Sequence, residues 1–182
     1  MRRIDAGCSH IEHIKPETLC RAEQQGSDLE YNNLVACFPR DGMSKSYRYG
    51  AQKKDDWWDD GGSSFVSPLN AVCEKRFQFN LAGEIKAVHN RKDARITIDV
   101  LGLDHPTLEE DRKLAIEQFI YGQSGSSPLS PAQTQQAKNR ILLADGDDRF
   151  RGFCVAILHA LQEYESALQK RAKRRKFAKK KA

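Results

Sequence analysis

At 182 residues, with 39% hydrophobic and 30% charged residues, the chain has room for one domain with an apolar core, or for a small domain plus a helical extension. No apolar run approaches the roughly 20 residues of a bilayer-spanning helix. Met1-Arg2-Arg3-Ile4-Asp5 also lacks the apolar stretch of a secretory signal, so a cytoplasmic protein with no membrane partner is expected. The net charge of +5 is an uneven average: residues 170–182 hold nine Lys or Arg and no acid, leaving 21 bases against 25 acids elsewhere. A mildly acidic body with a basic tail suits a polyanion such as DNA or RNA.

In chain order, residues 1–16 read as an extended entry that carries Cys8-Ser9-His10-Ile11-Glu12-His13-Ile14-Lys15-Pro16 and leaves it at the proline. Residues 17–30 are polar and end in Gly-Ser-Asp, the pattern of a loop with one helical turn. Tyr31-Asn32-Asn33-Leu34-Val35-Ala36-Cys37 runs from a polar start into an apolar strand. Residues 38–64 are rich in Gly, Asp, Ser and Lys. Within them, the carboxylates of Asp55-Asp56-Trp57-Trp58-Asp59-Asp60 repel one another and favour a solvated loop with its tryptophans packed inward. Residues 65–70 read as a short buried strand entering a turn, and residues 77–81 with 85–88 give a hairpin signal around Ala82-Gly83-Glu84. For residues 94–101, periodicity leaves strand and helix both open.

Leu108 to Tyr121 is helical in pattern, with Leu108, Leu114, Ile116, Phe119 and Ile120 on its apolar side and Thr107 as N-cap with Glu110 in reciprocal position. Residues 122–131 have linker composition. A second helix is expected from Pro131 to Leu143 and a third from Phe150 to Gln169, the latter striped by Phe153, Ile157, Leu161, Tyr164 and Leu168. The expected organisation is therefore a region 1–100, a helical region 101–169 with a linker at 122–131, and a basic tail 170–182.

The chemistry concentrates in the first of these. Strand geometry has a period of two, so His10 and Glu12 face one way and His13 the other; one face can hold a metal ion while the other presents a base. The five cysteines (8, 20, 37, 73 and 154) are odd in number and form no CxxC pair, which argues against a disulfide framework. Cys73 and Cys154 read as packing residues. His89, His105 and His159 lack neighbours at metal-ligand spacing and read as surface or capping residues. There is no Walker-type phosphate loop.

The ordered series His10–Pro16, Tyr31–Cys37 and Tyr49-Gly50-Ala51-Gln52-Lys53-Lys54 resembles an HNH nuclease motif. With Phe65–Leu69, Cys73–Phe77 and Gly83-Glu84-Ile85 added, residues 8–120 are similar to the HNH endonuclease subunit of Septu-type and retron-associated antiphage systems. The resemblance implies an α+β fold: a small ββα-metal (His-Me finger) nuclease core followed by a helical C-terminal region. It implies His13 as the general base that activates water, Asn33 as the residue holding that loop in position, and Glu12 as ligand of Mg²⁺ or a similar divalent ion. His10 becomes an extra ligand or an orienting neighbour, and Gln52 a neutral oxygen ligand, with Asp55 or Asp56 as substitutes.

It further implies phosphodiester hydrolysis of DNA or RNA beside an ATPase subunit. Three departures are visible. The third motif offers Gly50-Ala51-Gln52 where relatives carry His or Asn. Tyr49 stands where a cysteine is expected. The chain begins a few residues before the motif, as in an N-terminally short member. Cys8, Cys20 and Cys37 do not make a structural zinc set. The alternative expectation is a catalytically degenerate module that binds nucleic acid or a partner protein.

Overall fold

Among the residues that the computed structural model describes (7–23, 26–38, 48–62, 64–122 and 127–181, the side chains of 60, 175, 176 and 179–181 excepted), the chain forms two two-stranded sheets and six α-helices. They fall into two units. One comprises the described residues of 7–78 and 85–106; the other comprises those of 79–84 and 107–181. Part of the expected loop 38–64 and part of the linker 122–131 lie outside the described residues.

In the N-terminal unit, β1 (His10–His13) pairs antiparallel with β2 (Leu34–Cys37), in a register that sets His10 opposite Cys37, Ile11 opposite Ala36, Glu12 opposite Val35 and His13 opposite Leu34. Between them lie the short helix α1 (Glu17–Ala22) and a 3-10 turn over Tyr31–Asn33. A four-residue helix α2 (Ala51–Lys54) follows β2. The second sheet pairs β3 (Phe77–Phe79) with β4 (Ile85–Ala87).

Residues 94–101, undecided by periodicity, are helical: α3 spans Lys92–Leu101 and buries Ala94, Thr97 and Ile98 along one face. The spacing i, i+3, i+4 matches helical rather than strand geometry. At its end Gly102 adopts φ +56°, and hydrogen bonds from Gly102 N to Asp99 O and from Leu103 N to Ile98 O close the helix. A Cβ at Gly102 would crowd the Arg48 carbonyl and the Lys53 side chain, so glycine also lets the approach to α2 lie close against this helix end. Gly50 N donates to Leu101 O at 2.7 Å, and Lys53 Nζ donates to Asp99 O; together they fix α2 on α3.

The C-terminal unit contains α4 (Pro106–Tyr121), α5 (Pro131–Arg140) and α6 (Cys154–Lys181). Its core is Ile116, Ile120, Ile141, Ala156, Ile157, Ala160 and Leu161, with Phe79, Leu81, Phe119, Phe153 and Tyr164 packed against it. The helix α4 starts at Pro106, whose fixed φ suits a first turn, so Thr107 lies inside that turn rather than capping it. Leu114, expected on the apolar side, is exposed. Arg112 is buried instead: its Nε donates to the Gly83 carbonyl at 2.5 Å and its guanidinium lies over the Phe79 ring. A capping box closes the start of α5, with Ser130 Oγ accepting from Gln133 N and Gln133 Oε1 accepting from Ser130 N. No described helix is long and apolar enough to cross a membrane.

Candidate functional site

The hairpin positions the first group of residues. Because side chains alternate along β1, His10 and Glu12 lie on one face, with His10 Nε2 3.3 Å from Glu12 Oε2. Ile11, on the other face, is exposed. Beyond His13 the chain turns inward: Ile14 is buried and its N–H donates to the Asn33 carbonyl at 2.8 Å.

His13 Nε2 stands 2.9 Å from the carbonyl oxygen of Asp28. A carbonyl only accepts, so Nε2 carries the proton, and in the neutral ring the lone pair then resides on Nδ1. Asn33 holds the turn that makes this bond. Its Oδ1 accepts from Lys15 N at 2.7 Å, while Nδ2 donates toward Lys15 O, Ser27 O and the Cys20 thiol at 3.2–3.4 Å. The peptide that accepts from His13 is thus adjacent to the carbonyl that accepts from Asn33. Burial of Asn33 (8% exposed) makes these bonds costly to lose.

The second group comes from α2. Lys54 is only 3% exposed, and its ammonium lies 3.1 Å from the His13 carbonyl, 3.4 Å from the Asp55 carbonyl and 3.9 Å from Glu12 Oε1. Burial pushes its pKa down, and the carboxylates of Glu12, Asp56 and Asp55 push it back up. The Cys37 thiol, facing Glu12 and the start of α2, is pushed up by burial.

Helix geometry decides what α2 can contribute. Ala51 and Lys54, three apart, share the buried face, whereas Gln52, two positions before Lys54, is turned about 200° away and is exposed. Asp55 and Asp56 are exposed as well.

Of the expected metal set of Glu12, His10 and Gln52, the structure brings part together. His10 and Glu12 meet, Gln52 points elsewhere, and the Lys54 ammonium lies 3.9 Å from Glu12 Oε1. No cluster of three His, Cys, Asp or Glu fit to hold a metal ion occurs among the described residues. A divalent ion on the Lys54 side of Glu12 would face that ammonium at close range.

Cys20 is fully buried within the Asn33 hydrogen-bond group, and Tyr49 is buried against the His105 ring, 5.2 Å between centroids. Of the discounted histidines, His159 is half-buried rather than on the surface: its Nδ1 accepts from Phe79 N at 3.2 Å, and burial lowers its pKa. Lys54 was the residue hidden from sequence reasoning. Its signal was only the shared helical face with Ala51, which matters once α2 is known to be a helix.

Sequence comparison adds one relative. The chain is 32% identical, over 116 residues and 61% of its length, to a Vibrio cholerae (serotype O1 biovar El Tor) protein named as a candidate HNH endonuclease of retron Vc95. It spans about half (53%) of the length of that relative. No protein-family model matches the chain.

Proposed function

We propose that the chain is an HNH-type phosphodiester hydrolase acting on nucleic acid in a retron-associated antiphage system, with His13 as general base. The observation that carries this reading is the bond from His13 Nε2 to the Asp28 carbonyl at the end of a β-hairpin. It fixes the tautomer and leaves Nδ1 to take a proton from water as that water attacks phosphorus. Asn33 acts as a positioning residue through the Ser27–Asp28 turn. The likeness to the retron Vc95 protein supports the reaction class and the setting. The cationic end of α6, with Lys170, Arg171, Lys173 and Arg174 exposed, supports a polyanionic substrate. On the Septu-type resemblance we assign an ATPase subunit as partner, to be tested by co-purification.

The decisive test incubates the purified chain, alone and with that partner, with single- and double-stranded DNA and RNA, with and without Mg²⁺ or Mn²⁺. Cleavage is expected, and His13→Ala should slow it by about 10²–10⁴-fold, the usual worth of a general base. Cleavage unchanged in His13→Ala overturns the assignment. A second reading, a module that binds nucleic acid without cutting it, is favoured by the Lys54 ammonium beside Glu12. It predicts no cleavage under any of these conditions, together with binding that weakens steeply with salt.

A further inference from the structure

The Lys54 ammonium is enclosed by oxygen atoms of the hairpin and its own helix end: the His13 carbonyl at 3.1 Å, the Asp55 carbonyl at 3.4 Å and the Glu12 carboxylate at 3.9 Å. A buried lysine is costly unless partnered, and these oxygens, two of them belonging to adjacent residues of the hairpin, are its partners. The backbone around it is held as well. Gly50 N bonds Leu101 O, and Lys53 bonds the Asp99 carbonyl with the Asp99 carboxylate 3.7 Å away, so the turn bearing Lys54 is anchored to α3 at Gly50 and Lys53. With the side chain 3% exposed, swinging it out to admit another cation would break its oxygen contacts and open the packed face it shares with Ala51.

We propose that Lys54 takes the place of a divalent cation beside Glu12, so that the folded site carries its own fixed positive charge and takes up no Mg²⁺ or Mn²⁺ there. Lys54 is in this account a positioning residue: it neutralises Glu12 and ties the His13 carbonyl to α2. The inference goes beyond the nuclease reading and stands whether or not the chain cleaves nucleic acid.

The test is Mn²⁺ binding to the full chain, followed by electron paramagnetic resonance of the free ion, for wild type, Glu12→Gln, Lys54→Met and the double variant. Wild type and Glu12→Gln should bind Mn²⁺ equally weakly at millimolar concentrations, any residual uptake being independent of Glu12. Lys54→Met, which keeps the chain length and drops the charge, should bind about tenfold or more tightly, and Glu12→Gln should remove that gain. Should Lys54→Met fail to fold, Lys54→Gln, which retains a donor for the His13 carbonyl, carries the same comparison. Wild-type Mn²⁺ binding that Glu12→Gln abolishes overturns the proposal, and so does a folded Lys54 variant with no gain. Because the readout is bound metal, neither result depends on the cleavage assay of His13→Ala.

Discussion

The two units of the chain spend their buried volume differently. In the C-terminal unit, Ile116, Ile120, Ile157 and Leu161 are almost completely buried and meet one another at helical spacing. In the N-terminal unit Asn33, Lys54 and Thr97 are buried beside Ile14, Tyr49, Val66, Ile85 and Ile98, which keep 4–9% exposure, and each of the three polar residues makes bonds to backbone. Thr97 Oγ1, for example, accepts from Val66 N at 2.8 Å. Apolar packing is non-directional and tolerates approximate shapes, whereas buried hydrogen bonds demand particular partners. A region assembled from the second kind fixes a few atoms in place at some cost to stability, which suits a site. The first kind suits a scaffold, although Arg112 and Thr134 show that the scaffold also contains buried polar bonds.

Cutting the apolar core should have the largest effect. Leu161→Ala is expected to cost about 2–5 kcal/mol, read as a lower urea midpoint. A loss below about 1 kcal/mol would break the contrast. Asn33→Leu keeps the volume but leaves the Lys15 N–H and the Ser27 carbonyl without that partner, for an expected cost of about 1–3 kcal/mol. Its distinguishing sign is faster hydrogen exchange at the Lys15 amide, which bonds Asn33 Oδ1; unchanged exchange there would show that the side-chain bonds do not hold the turn.

The smallest effect is a pH dependence in the scaffold. His159 has a folded pKa below its ordinary value of 6.5, through burial. Between the two values the unfolded chain binds more protons, so this histidine's contribution is present above about pH 6.5 and is lost as pH falls through the folded pKa. Protonation also removes the Nδ1 acceptor of Phe79 N. Thermal melts at pH 7.5 and 5 should show a drop of a few degrees beyond that of His159→Gln. Equal drops in the two proteins would remove His159 as its cause.

Much of the scaffold was legible in order. The stripe Ile157, Leu161 and Tyr164 lies in the core as its spacing required, and the Pro131 helix carries its proline in the first turn. Leu114 misled because α4 turns that flank outward while Arg112 enters, bonding a carbonyl that is distant in sequence. In the site, strand alternation alone placed His10 beside Glu12. Gln52 could not be judged that way, since its facing depends on α2 being a helix and on which of its sides meets the hairpin.

What the sequence determined by itself is local: the period-two face of His10 and Glu12, the proline-ended extended segment, the helical stripes and the cationic end of the chain. These follow from side-chain spacing and charge, which need no knowledge of distant contacts. Tertiary structure alone decided that the ammonium of Lys54, 41 residues beyond His13, bonds the His13 carbonyl and stands 3.9 Å from Glu12. Facing an ion pair across that separation depends on how the segment between folds back, and the anchors of that return, Leu101 and Asp99 on α3, lie further along the chain still.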